Sequence, residues 1–265
     1  MSRLRLILLP IFWLSLLASG QTVDEIIAKS FAAHGGLAKL KAIQSMKITA
    51  DIEVSGMQAS FTRVFKRPMK VRTDISIQGM SMIQAYDGQT GWQIVPFSGK
   101  KDSELMSAEE LKTIREEADF DGPMMDYKQK GNTIELIGKE KVNGKDAYHL
   151  KITVKNGDIR NVYLDAGTFL RIKTVATTTM RGSEVELETS MGNYQQVNGI
   201  MFPFSFEQHF AGAPGPGQKI TLSKVETNIP VDDAIFKMPA ATPAAPASEK
   251  KGAAPPENGT KPPQD

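Results

Sequence analysis

The sequence predicts a mainly β (α+β) protein: a single curved antiparallel sheet of about ten or eleven strands, an unclosed half-barrel whose concave apolar face is covered by helices. Three observations carry this. Long runs alternate at period two, as Tyr148, Leu150, Ile152 and Val154 do against His149, Lys151 and Thr153, so each strand is apolar on one face. Asn143-Gly144, Asn156-Gly157 and Asn198-Gly199 separate consecutive runs as tight turns, which makes the sheet an antiparallel meander. No second set of complementary strands exists, and the helical stretches are too few to cover so large a sheet. Its dry face must therefore curl inward around a core or a hollow.

Taken in order, the first twenty residues read as an export signal. Arg3 and Arg5 precede an apolar run from Leu6 to Leu17, then the small residues Ala18, Ser19 and Gly20. The run is shorter than a membrane span and is interrupted by Pro10. Gln21 stands where a lipoprotein-processing box would need Cys, and the 265-residue chain has none, so a soluble exported protein without disulfides is expected. Without Arg3 and Arg5 the chain holds 30 basic and 30 acidic residues, which leaves no footprint for nucleic acid. At the other end, residues 240–265 are rich in Ala, Pro, Lys and Glu and lack aromatic residues. A tail that does not order itself is expected there, leaving 21–239 as one domain.

Thr22 is placed to cap a helix carrying Val23, Ile26, Ile27 and Phe31, which Gly35-Gly36 stops. A short helical turn with Leu37, Leu40 and Ile43 follows, and strand alternation begins at Met46. Met57, Ala59, Phe61, Arg63 and Phe65 share one face of the next strand. Pro68 ends it, and Met69, Val71, Thr73, Ile75 and Ile77 repeat the pattern. Asp87-Gly88 supplies a hairpin before the strand of Trp92 and Ile94. Ser107 and Glu110 form a capping box for a helix with Leu111, Ile114 and Ala118 on one stripe. Phe120, Met124 and Met125 follow around Gly122-Pro123, a sequel suited to a lid that repacks over variable apolar partners, although a fixed core cover fits the pattern equally. Seven further strands run from Ile134 to Val225, one of them lined by Phe202, Phe204, Phe206 and Phe210, with Pro203 marking an edge or an irregularity.

Two segments, KRPMKVR at Lys66 to Arg72 and YDGQTGWQIVPF at Tyr86 to Phe97, resemble the periplasmic outer-membrane lipoprotein carriers of LolA-like fold. Asp233-Ala-Ile-Phe236-Lys-Met-Pro239 is similar to the Asp-x-x-Phe-x-x-Pro ending of many of their relatives. The resemblance implies a hollow that takes acyl chains and places Arg67 beside the lid, in control of its opening. It also implies an acylated lipoprotein or lipid as ligand, an inner-membrane transporter that loads it and an outer-membrane acceptor. The alternative within the same fold is a non-transporting envelope lipid-binding or stress-sensor protein.

Catalysis finds little support. His34, His149 and His209 form no triad or zinc spacing and read as surface or strand-face residues; no phosphate loop occurs, and no cofactor or metal is expected. A monomeric binding protein, not an enzyme, is the expectation. The residues expected to line or close the hollow are Arg67, Phe61, Phe65, Met80, Met82, Trp92, Phe97, Leu111, Ile114, Met124, Met125, Phe202, Phe204 and Phe206.

Overall fold

A computed structural model describes residues 21–96, 102–180, 183–211 and 217–240. The expected export signal, Phe97 and all but the first residue of the expected tail lie outside them.

The chain opens with α1 (Val23–Ala33), whose Thr22 and Glu25 complete a reciprocal capping box, and a short α2 (Leu37–Lys41). Then come β1 (Ser45–Val54), β2 (Met57–Lys66), β3 (Lys70–Ile77), β4 (Met80–Tyr86), β5 (Gly91–Ile94) and β6 (Glu104–Leu105). Helix α3 (Ala108–Ala118), capped by Ser107 and Glu110, and a series of turns at 119–131 interrupt the strands. The chain resumes with β7 (Thr133–Val142), β8 (Lys145–Thr153), β9 (Ile159–Asp165), β10 (Arg171–Met180), β11 (Ser183–Val197), β12 (Ile200–Phe210) and β13 (Gln218–Thr227).

All thirteen described strands form one antiparallel sheet in the order β6-β5-β4-β3-β2-β1-β13-β12-β11-β10-β9-β8-β7. Because β1 pairs with β13, the two meanders join at their outer ends in sequence, while β6 and β7 remain as unpaired edges and the sheet does not close. The count corrects the expected ten or eleven. Strand β4 follows a turn at Gln78-Gly79 whose residues both have positive φ (49° and 80°), and Gln is not a residue that announces such a turn. Strand β6 is too short for periodicity to show.

Register fixes the two faces. Met46, Phe65, Val71 and Tyr86 form one cross-strand row, and all four are buried. On that inner face two apolar clusters form. Ile114 and Ala118 of α3 pack over β1 to β4 and β12 to β13, while Ile26 and Ile27 of α1 pack over Leu150, Ile152, Val162 and Leu164 of β8 and β9. Pro203 sits beyond the four residues through which β12 pairs with β13, so its missing N–H interrupts no bond there.

The opposite face is covered locally by the segment after β13. A 3-10 turn, Asp233–Phe236, inserts Phe236, which is 0% exposed, and the indole Nε1 of Trp92 donates to the Phe236 carbonyl at 2.8 Å. Lys66 and Lys70 both hold the Asp233 carboxylate, at 2.7 and 2.8 Å.

Candidate functional site

The site lies where the two inner clusters meet. A cleft of about 270 Å³ is floored by strand residues such as Met46, Val162, Leu164, Phe202 and Phe206, and roofed by Phe120 to Met125, the segment that follows α3. Helices α1 and α2 supply its end wall through Phe31, His34 and Leu40. The lining is largely apolar. Its volume falls just short of the roughly 300 to 1,000 Å³ of ordinary small-molecule pockets, so it holds one slim chain at most while the cover is down.

That cover is fastened on both flanks. On one side Arg67 makes a fork with Asp121, both bonds at 2.6 Å, and its Nε donates to the Ile43 carbonyl at 2.6 Å. The guanidinium lies 4.7 Å over the Phe120 ring, which in turn packs on Phe65 with centroids 5.5 Å apart. Hydrogen bonds that Arg67 donates to Asp121 hold its pKa above the ordinary value against the opposing effect of burial. Arg63 of β2 meets Glu117 at 3.0 Å. On the other side Glu116 accepts from Arg160 of β9, and Lys112 pairs with Asp158 at 2.9 Å. Lys130 closes the turns on themselves by bonding Asp119 at 2.5 Å and the Gly122 carbonyl at 2.8 Å.

These pairs also show the curl of the sheet. Strands β2 and β9 are six places apart in strand order, about 29 Å in a flat sheet, yet one helix about 16 Å long bonds to both.

The expected site residues divide into four groups. Met124, Met125, Phe202 and Phe206 line the cleft, and Arg67 fastens its roof. Phe61, Phe65, Leu111, Ile114 and Phe204 belong to the adjoining cluster under α3. Met80 and Met82 share the inner face but stand toward the β3–β4 hairpin tip, where Met80 is 40% exposed. Trp92 is a correction. Its row is Val64, Arg72 and Ala85, on the face opposite the cleft, where it serves as the anchor of the segment after β13. Phe97 lies outside the described residues.

Of the histidines, His149 and His209 stand on strands as expected. His34 does not: it caps α1 at the cleft wall, and its Nδ1 lies 2.8 Å from the Ser30 carbonyl. Burial, with a further push from the charge of Arg171, lowers its pKa below the ordinary 6.5. Its ring meets Tyr194 edge-on at 5.8 Å, and burial raises the Tyr194 pKa to about 12. Asp121 and Arg171 are polar wall residues that the sequence did not announce, because neither stands in a motif. Among the described residues no cluster of His, Asp or Glu could hold a metal ion, and no helix is long and apolar enough to cross a membrane.

No family model and no curated protein matches the chain. Solved structures do. A LolA superfamily protein from Nitrosomonas europaea superposes with a TM-score of 0.57 at 14% identity, over 82% of this chain and 98% of that one. A DUF1329 family protein from Desulfovibrio piger gives 0.56 at 16%, over 81% and 97%. A domain described as outer-membrane lipoprotein-sorting, from Vibrio parahaemolyticus, gives 0.53 at 15%, over 80% and 94%. At such identities the likeness is one of fold alone: this chain shares the fold of these three structures.

Proposed function

We propose that this chain is a periplasmic carrier that shields acyl chains of lipoproteins or lipids between its sheet and a movable cover on their way to the outer membrane. The observation that carries the reading is an apolar cleft whose roof is pinned at Asp121 by Arg67 and whose leading helix α3 meets strands on both flanks through partly exposed ion pairs, beside the buried contacts of Ile114, Ala118, Met124 and Met125. A core cover held for stability alone needs no such row of charges. Each methylene that enters gains roughly 0.8 kcal/mol, so a long chain repays the cost of parting several half-exposed pairs, each worth about 1 kcal/mol or less. An inner-membrane transporter and an outer-membrane acceptor fit this role as partners.

The test uses Arg67→Leu, which removes the fork to Asp121. Protein prepared in contact with membranes should carry acylated ligand detectable by mass spectrometry. The variant should fold and yet release that ligand to acceptor vesicles at a rate changed severalfold. Identical loading and release would remove Arg67 from the mechanism; absence of any acylated ligand from the wild-type protein would remove the function.

A further inference from the structure

Within the cleft one charge has no counter-charge. Arg63, Arg67, Arg72 and Arg160 each hold a carboxylate. Arg171 lines the cleft and holds none: its Nε donates to the Met191 sulfur at 3.2 Å, and its terminal nitrogens make no hydrogen bond with described residues and are not sealed from solvent. Arg115 is likewise unpaired, but it stands exposed on α3. Asp121, the acidic residue of the same lining, has both oxygens occupied by Arg67 and cannot serve.

The backbone fixes where this guanidinium sits. Arg171 pairs across the sheet with Leu164 on the cleft floor, and its carbonyl accepts from the Tyr194 hydroxyl at 2.6 Å. Tyr194 packs against His34, so Arg171 and the imidazole share one end of an apolar trough whose remaining walls include Val162, Ile200 and Phe206. A guanidinium at an apolar wall, free of any carboxylate and reachable from solvent, is available to a ligand, and its planar fork is shaped for carboxylate or phosphate oxygens.

We propose that Arg171, beside His34, is a head-group subsite, and that the cleft takes an amphiphile with one acyl chain and a carboxylate or phosphate head. This rests on the acyl-binding reading above and narrows its ligand class. An acyl chain whose attachment offers only a neutral ester or amide, with no anionic head nearby, gains nothing from Arg171, so the subsite favours free fatty acids and single-chain phosphate-headed lipids over such chains.

The experiment titrates delipidated full-length protein with dodecanoate, dodecyl phosphate and dodecanol at pH 7.5, below their aggregation limits. Wild type should bind at least one of the two anions about tenfold or more tightly than the alcohol, the factor that one charge-assisted bond yields. The tighter of the two names the source of the head. Arg171→Met should remove the preference and keep the affinity for dodecanol, and Arg171→Lys should keep part of the preference, which separates lost charge from lost fold. Equal affinity of wild type for all three, or a preference that survives in Arg171→Met, overturns the subsite and leaves acyl binding standing. No binding of any probe overturns the acyl reading and the subsite with it.

Discussion

Arg67 and Trp92 come from one stretch of sequence and end on opposite faces of the sheet. Arg67 reaches forward to the cleft roof, whereas Trp92 turns back under Phe236. Trp92 and Ile94 alternate in the way that marks a dry inner face, and the sequence reads them so. The reading fails because β2, β4 and β5 bury residues on both faces: Val64, Ala85 and Trp92 are buried on the outer one, where a segment far along the chain bonds Trp92 through Phe236. Which face a residue takes follows from register, and register is not local. We predict that Trp92→Phe, which deletes the bond to the Phe236 carbonyl and leaves that oxygen unpaired, lowers unfolding free energy by roughly 1 to 3 kcal/mol. Urea denaturation measures this, and acyl-ligand retention should not change. Loss of ligand at intact stability would return Trp92 to the cleft.

Among the elements, α3 was the most legible, and it is held both by buried Ile114 and Ala118 and by partly exposed ion pairs. Its Ser-x-x-Glu box and its single apolar stripe marked its place in sequence, and Asn143-Gly144 and Asn198-Gly199, at positive φ, marked the β7–β8 and β11–β12 hairpins in the same way. Nothing local showed that α3 reaches strands on both flanks of the sheet, because Arg63, Asp158 and Arg160 read as ordinary strand and turn charges. The pairing of β1 with β13 was hidden for the same reason: long-range pairing leaves no mark in the periodicity of either strand. These pairs are partly exposed and therefore open to screening. Raising sodium chloride from about 0.05 to 0.5 M should speed amide exchange in α3 and the 119–131 turns severalfold, and leave β8 and β9 unchanged. Acid should act likewise. Lys112 holds the Asp158 carboxyl below its ordinary 3.8, so the contribution of that pair is full above about pH 4 and is lost as pH falls through the lowered folded value. Exchange in α3 that ignores both salt and acid would mean that Ile114 and Ala118 alone hold the helix.

At the scale of the whole molecule, the two apolar clusters are separate bodies of core, one under each helix, and the cleft is the seam that neither fills. An apolar cleft left open to solvent forgoes contacts that a filled seam would make, and stability suffers accordingly. A chain selected only for stability would close it with a few larger side chains. Leu40, half-buried on the α2 wall, is placed to do so. Leu40→Trp puts an indole into the seam in place of an isobutyl group. Covering apolar lining that solvent now reaches should raise stability by about 1 kcal/mol. The same ring occupies the path of an acyl chain, so ligand affinity should fall at least tenfold while the melting temperature rises by a few degrees. Opposite signs in the two measurements are what a seam kept open for a ligand requires. A variant that gains stability and binds acyl probes as before would show that the void has nothing to do with binding, and that the ligand, if the protein takes one, lies elsewhere on the inner face.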